Sequence, residues 1–112
     1  MYFRLPSISG KSEQEQIADI KRYLYMLAEK LQAENAAEIR YPKISEGDPK
    51  RQTEDIKRYL YMLAETLQVR YPGSDIRYPS ISAPTARGQI HEIKRYLYML
   101  VEKLQWVTNN II

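Results

Sequence analysis

The sequence predicts a mainly α-helical protein: a pseudo-threefold, parallel three-helix bundle with short extended or β-like segments packed in the helix grooves. Three observations predict it. A thirteen-residue helical segment occurs three times, an extended motif with a proline precedes each copy by a constant distance, and long connections separate the copies. Such internal repetition indicates one supersecondary unit used repeatedly. We expect a single domain over residues 1–112, made of units at about 1–38, 39–75 and 76–112.

The repeated helical segment begins at Ile20, Ile56 and Ile93, as IKRYLYMLAEKLQ, IKRYLYMLAETLQ and IKRYLYMLVEKLQ. The extended motif has the sequence FRLPSIS, IRYPKIS or IRYPSIS and starts 17 residues before each copy. All variation in length therefore lies after the helices, in the joints. Each unit consists of an extended segment, a turn, a helix and a joint.

Good N-cap residues stand at one position of the three units, Ser12, Asp48 and Thr85. A side-chain oxygen there can accept an unpaired N–H of the first helical turn. Pro49 follows Asp48 directly, at the first helical position, where proline is favoured. These signals predict helices over Glu13–Gln32, Pro49–Gln68 and Ala86–Val107. We expect Gly88, in the first turn of the third helix, to weaken that start.

Apolar residues recur at spacings of three and four in each helix, which is a heptad pattern. The first helix carries it from Ile17 and the third from Ile90, whereas Thr53 takes that place in the second. A parallel bundle would stack equivalent residues as core layers around one axis. The predicted layers are Ile20, Ile56 and Ile93; Leu24, Leu60 and Leu97; Leu27, Leu63 and Leu100; and Leu31, Leu67 and Leu104.

The connections decide the expected direction of the helices. About fifteen residues separate one helix from the next cap, and such a stretch reaches about 50 Å when extended. A helix of about 20 residues is about 30 Å long, so the chain can return to the starting end each time. Proline lacks an N–H, which favours an edge or covering role for the extended motif. The apolar residues expected to cover the helices are Leu5 and Ile8, Tyr41 and Ile44, and Tyr78 and Ile81.

The composition excludes few classes of function. A net charge of +3 is too mild to indicate nucleic-acid binding by itself, and no cysteine is present for a disulfide or thiolate metal site. We expect no secretory signal and no membrane span, because no apolar run approaches about 20 residues. The location stays open between the cytoplasm and a phage particle.

The candidate chemical groups favour structural roles. His91 is the single histidine and lacks further ligands at metal-binding spacing, so we expect a surface or boundary residue. The recurring carboxylates Glu29, Glu65 and Glu102 are expected to be solvated. No phosphate loop, nucleophile motif or metal-binding helix motif occurs. We therefore expect no catalytic residue, no metal site and no cofactor.

A repeated Lys–Arg pair defines a candidate anion belt of six residues: Lys21, Arg22, Lys57, Arg58, Lys94 and Arg95. With the interleaved tyrosines it could bind nucleic acid or an acidic glycan. The alternative is a solvated helix face whose alkyl stems cover tyrosine rings, and we favour it. The tyrosines could likewise bind carbohydrate, but their constant helical phase favours boundary packing. Retention on heparin above about 0.5 M salt would support the binding alternative, since weak charge contacts are screened there.

One unit, YFRLPSISGKSEQEQIADIKRYLYMLAEKLQ, resembles a segment of prophage proteins from Gram-positive bacteria. In that family an LPSISGKTEAEQ-like opening leads into a QIRSYLYQLAEQLNWAL-like helix. The resemblance runs through LPSISGKSEQEQ, IKRYLYMLAEKLQ and the final LQWVTNN. It implies a tail or baseplate structural component, of a kind that commonly assembles as a trimer, and it carries over no catalytic residue. Tandem copies in one chain are a departure from that family.

The first unit alone has the family-like beginning and the third alone the family-like ending, while the internal junctions differ from both. This pattern indicates a homotrimer joined into one chain by new linkers, and we favour an engineered origin. We expect a non-enzymatic structural or scaffold protein that is a monomer and requires no partner. A single unit should self-associate as a trimer, and neither membrane nor nucleic acid is expected as a partner. The alternative is a module that binds nucleic acid or acidic glycan through the Lys–Arg and tyrosine belt.

Overall fold

The computed structural model describes residues 2–34 and 38–110 and is mainly helical. Helix α1 spans Glu13–Ala33, α2 spans Pro49–Arg70 and α3 spans Ala86–Asn110. The predicted starts of all three helices are correct, and each helix continues one to three residues past its predicted end. Residues 1, 35–37 and 111–112, which include parts of the first joint and of the WVTNNII ending, lie outside the described residues.

The helix starts have the cap geometry that their residue types favour. In each, the cap side chain accepts the backbone N–H three residues later: Glu15 to Ser12 at 3.1 Å, Arg51 to Asp48 at 2.9 Å and Gly88 to Thr85 at 3.1 Å. Each bond satisfies one N–H that has no partner within the helix.

Gly88 has a packing role in addition to its low helix propensity. A Cβ at this position would lie 2.7 Å from the Ala83 Cβ, inside van der Waals contact. The segment before α3 therefore approaches the first turn too closely for any larger residue.

Each helix packs against both of the others, and the whole measures 43 × 23 × 22 Å. One hydrophobic cluster contains residues from all three helices. The twelve residues expected in the core layers are all between 0% and 2% exposed. Over the part of the chain that the structure describes, none of the helices combines the length and apolar character that a membrane crossing needs.

Three irregular segments lead into the helices, and we call them arm 1 (residues 2–10), arm 2 (39–45) and arm 3 (75–83). None forms a β-strand within the described residues. Their innermost residues are Phe3, Ile39 and Ile76, at 1%, 3% and 5% exposure. Of the residues expected to cover the helices, Ile81 is buried and Leu5, Ile8 and Ile44 are half-buried against the core.

The two arm tyrosines cover a helix, as expected, although they lie outside the buried core. Tyr41 and Tyr78 are each 40% exposed and do not belong to the core. Their rings instead stack on Tyr25 and Tyr61 of the preceding helix, with centroids 4.3 Å apart in both pairs. This arrangement gives each ring an apolar contact while its hydroxyl stays near water, which is the usual compromise for an amphipathic side chain.

Candidate functional site

The most organised polar contacts of the molecule lie where each arm meets the helix that follows it. We call the helix side chains that hold one arm its cradle. The first element of every cradle is a tyrosine hydroxyl that donates to an arm carbonyl at 2.6 Å: Tyr23 to Arg4, Tyr59 to Arg40 and Tyr96 to Arg77. The same atoms meet at the same distance three times, so the repeated tyrosine specifically fixes an arm.

These tyrosines titrate abnormally because they are buried. Burial raises the pKa of Tyr59 from 10.0 to about 12, and it also raises the pKa values of Tyr23 and Tyr96. Desolvation disfavours the phenolate, so the hydroxyl stays protonated and remains a donor well into the alkaline range.

The second element of each cradle is a carboxylate that accepts backbone N–H groups from the end of the arm. Asp19 Oδ2 accepts from Ser9 at 3.2 Å and from Gly10 at 3.0 Å. In the other units, Asp55 accepts from the N–H of Ser45 at 2.9 Å, and Glu92 accepts from Ser82 at 3.0 Å and Ala83 at 2.9 Å. Sequence reasoning missed these residues. The signal was an acidic residue ten positions after the arm serine in every unit.

The Asp55 carboxylate has an unusually low pKa. The hydroxyl of Ser45, followed by its backbone N–H, lowers the pKa of Asp55 from 3.8 to about 2, with a smaller contribution from Arg58. Hydrogen bonds to the charged form favour ionisation. The carboxylate therefore holds arm 2 most strongly when it is ionised.

The third element is a glutamine from a second helix, which for arms 2 and 3 is the helix before the arm and for arm 1 is α3. The side-chain amides of Gln32 and Gln68 each donate at 2.7 Å to a carbonyl of the next arm, those of Ile39 and Ile76. In the third case the glutamine accepts instead, because the N–H of Phe3 donates to Gln105 Oε1 at 3.0 Å. That contact links arm 1 to α3 across 102 positions of the chain. Each arm thus bridges two helices.

Stacked tyrosines are present at two of the three arm–helix contacts. Desolvation raises the pKa values of Tyr41 and Tyr78, and the nearby charges of Glu29 and Glu65 raise them further. Leu5 stands at the corresponding position of arm 1, where a ring pair with the exposed Tyr98 cannot form. Glu29, Glu65 and Glu102 are exposed, in line with the expected solvated positions.

Three of the six cations in the candidate anion belt form ion pairs with an acidic residue three positions earlier. Arg22 pairs with Asp19, Arg58 with Asp55 at 2.6 Å, and Lys57 with Glu54 at 3.3 Å. The arginines Arg22, Arg58 and Arg95 are exposed, while Lys21, Lys57 and Lys94 are half-buried. The ion pairs offset part of the positive charge, which weakens the attraction of the belt for an anion.

Two equivalent recesses adjoin the innermost arm residues. Tyr23, Met26 and Lys30 line one of about 240 Å³ beside Phe3. Tyr96, Met99 and Lys103 line the other, of about 250 Å³, beside Ile76. Their walls are mostly apolar, but each also includes one lysine and one arginine, and the recess beside Ile76 includes Asp75 as well.

His91 is exposed, and residues 2–34 and 38–110 contain no cluster of three or more side chains suited to a metal ion. The cradles therefore are the candidate functional site, and their chemistry is the holding of extended backbone. Comparisons with models of known protein families, with curated proteins and with solved structures found no match to this chain.

Proposed function

We propose that this chain is a non-enzymatic structural scaffold, a single-chain counterpart of a parallel homotrimer with pseudo-threefold symmetry. In this proposal the chain was engineered by joining three copies of a segment that is similar to trimeric phage tail or baseplate components. The observation that carries the proposal is the equivalence of the three arm–helix contact sets. Gln105 of α3 contacts arm 1, just as Gln32 and Gln68 contact the arms that follow their own helices, although no joint connects α3 to arm 1.

The order of contacts along arm 2 supports a parallel arrangement of α1 and α2. On α1, Ile39 meets Gln32 and Tyr41 then stacks on Tyr25, so the contacts move towards the start of the helix. On α2, Arg40 meets Tyr59 and Ser45 then meets Asp55, again towards the start. Two helices that both run opposite to one arm run in the same direction.

Arm 3 relates α2 and α3 in the same way. Ile76 meets Gln68 and Tyr78 then stacks on Tyr61, towards the start of α2. Arg77 meets Tyr96 and Ser82 then meets Glu92, towards the start of α3. The same contact order at both joints supports one direction for all three helices.

Threefold equivalence is supported by the core. The four layers contain one isoleucine set and three leucine sets, and each residue is at most 2% exposed. Helices that present the same residues in these four layers, and that each touch both others, meet this condition most simply around a common axis. The recurring tyrosines, carboxylates and glutamines hold arms, a use that fits a scaffold.

Helix direction can be tested by measuring the distance between two spin labels, each attached to an introduced cysteine, since the chain has no cysteine of its own. Gln14 and Lys50 are exposed near the starts of α1 and α2, and Val69 is 80% exposed near the end of α2. The proposal predicts a Gln14–Lys50 distance below about 20 Å, since packed axes lie 8–10 Å apart. The Gln14–Val69 pair should lie about 30 Å apart or more. The reverse result would mean antiparallel helices and would refute the trimer relationship.

The trimer relationship itself can be tested with a single unit, residues 1–32 joined to residues 106–112. Sedimentation should find monomer at low concentration and a parallel trimer at high concentration, with helicity rising together with assembly. The free unit should assemble weakly, because it pays the association entropy that the joined chain avoids. A matched unit with Leu24→Asp should stay monomeric, since Leu24 is 0% exposed in a core layer. If the unit remains unfolded at millimolar concentration, the proposed origin from a homotrimer is refuted.

A further inference from the structure

We propose that the groove between α1 and α3 is a binding site for an extended peptide supplied by another polypeptide. The peptide has a large apolar residue, arginine, an apolar residue, proline, any residue, isoleucine and serine, in that order. In this structure arm 1 occupies the groove. The proposal goes beyond the scaffold function, because it rests on the arm contacts and requires neither a helix direction nor a trimeric ancestor.

The anchor of the groove is the site that holds Phe3. This ring is 1% exposed, although Phe3 belongs to a segment without regular secondary structure. Its N–H donates to Gln105 of α3 at 3.0 Å, and the Lys30 ammonium of α1 lies 5.9 Å from the ring centroid. A deep apolar side chain held by two separate helices is the usual anchor of a peptide-binding groove.

The remaining polar contacts of the groove are made to the arm backbone. The Tyr23 hydroxyl donates to the Arg4 carbonyl, and Asp19 accepts two N–H groups at the other end of the arm. The Gln16 side-chain amide donates to the Gly10 carbonyl at 2.9 Å. Because these groups recognise main-chain atoms, they give affinity to any peptide that can adopt this extended path.

The chain itself contains three peptides that fit such a cradle. FRLPSIS, IRYPKIS and IRYPSIS all accept the tyrosine bond, and the serine N–H of each donates to the carboxylate, although the three segments differ at the first, third and fifth positions. The first residue is buried in all three, and proline is constant at the fourth. An extended proline segment loses little conformational entropy on binding. The cradle thus selects a pattern, with apolar size at the first position as its main requirement.

In the native chain the site is filled, since a tethered arm competes at an effective concentration in the millimolar range. The test therefore uses the full chain with Phe3→Ala and an acetylated peptide of residues 2–10, YFRLPSISG. The peptide should shift the NMR resonances of Tyr23 and Gln105. It should also raise the melting temperature, by an amount that grows with the logarithm of the peptide concentration once the site is saturated. The full chain with Phe3→Ile is the matched control. It should exclude the peptide, because isoleucine fills this position in arms 2 and 3.

Two further peptides test the selectivity. The same peptide with alanine in place of phenylalanine should bind at least about a hundredfold more weakly, as expected for loss of a buried aromatic ring. The peptide of residues 38–46, EIRYPKISE, has the same length as the parent and should bind within about tenfold of it. If Phe3→Ala loses its helical circular dichroism, the parent peptide at millimolar concentration should restore that signal, and the peptide with alanine should not.

The proposal is overturned if the parent peptide at millimolar concentration shifts no resonance of the opened chain. It is also overturned if the alanine peptide binds as well as the parent, or if the shifts lie away from α1 and α3. Since the outcome depends on one groove alone, the scaffold proposal could fail its own tests while this one succeeds, and the reverse also holds.

Discussion

Leu60→Ala tests whether the layers predicted from the heptad pattern form the core of the folded chain. Leu60 is 0% exposed, in the central part of α2. The substitution removes three carbon atoms from the core, which corresponds to about 2.4 kcal/mol at ~0.8 kcal/mol for each buried group. The remaining cavity adds about 24 cal/mol for each Å³ that does not collapse, so the total loss of unfolding free energy should be about 2–5 kcal/mol.

The loss is measured by urea denaturation followed by helical circular dichroism, with an unchanged slope and a lower midpoint. A loss of about 3 kcal/mol would lower the melting temperature by roughly 12 °C for a domain of this size. Two controls lie on the same helix. Lys57→Ala removes a half-buried surface cation and should change stability by about 0.5 kcal/mol or less. Met62→Ala removes an apolar side chain that is 36% exposed, and it should cost clearly less than Leu60→Ala. Equal losses in all three variants would refute the assignment of the core face.

Three further predictions concern α2 and arm 2. Tyr59→Phe should cost about 1–2 kcal/mol, because the Arg40 carbonyl loses its donor. Wild-type stability should also fall between pH 10 and about 12, where the unfolded tyrosine ionises before the folded one, and the phenylalanine variant should lose less. Asp55 has a folded pKa of about 2 against 3.8, so its contribution is present above pH 4 and should disappear as the pH falls towards 2, an effect that Asp55→Asn should reduce. Thr53→Val should stabilise the chain by about 1 kcal/mol, since Thr53 is 0% exposed at a position with isoleucine in the other units.

Each of these predictions has a result that contradicts it. An unchanged unfolding free energy for Tyr59→Phe would mean that water replaces the hydroxyl, and hence that arm 2 is loosely held. If the wild type and Asp55→Asn unfold identically in acid, the ionised carboxylate does not contribute to holding arm 2. A destabilised Thr53→Val would show that the hydroxyl bond to the Lys50 carbonyl, at 2.8 Å, outweighs the gain in apolar burial.

The starts and apolar faces of the helices could be predicted because local chemistry determines them. Ser12, Asp48 and Thr85 can cap only the N–H groups directly ahead of them, and the structure has those bonds. The helix ends were predicted less well. No glycine or proline directly follows Gln32 or Gln68, so nothing local ends those helices at the predicted position. Pro72 comes directly after the C-cap Tyr71, which agrees with the observed end of α2 at Arg70.

The cradles were largely missed, since their parts are far apart in the sequence. Tyr23 and Tyr25 stand two positions apart on α1 and point to nearly opposite sides of the helix. Both have the same chemistry, yet Tyr23 is 8% exposed and Tyr25 is 49% exposed. The arms give the two tyrosines their different roles, because the Tyr23 hydroxyl donates to the Arg4 carbonyl of arm 1 whereas the Tyr25 ring stacks on Tyr41 of arm 2.

The sequence by itself therefore determined the three amphipathic helices, their caps and the residues of the core, since each depends on spacing within about one or two turns. The tertiary structure decided which tyrosine holds an arm, that Phe3, Ile39 and Ile76 are the inner arm residues, and that Asp19, Asp55 and Glu92 bind arm backbone. These contacts join an arm to two helices at once. The residues that form them come together only when the helices have packed, so a local sequence pattern cannot predict which residues will be in contact.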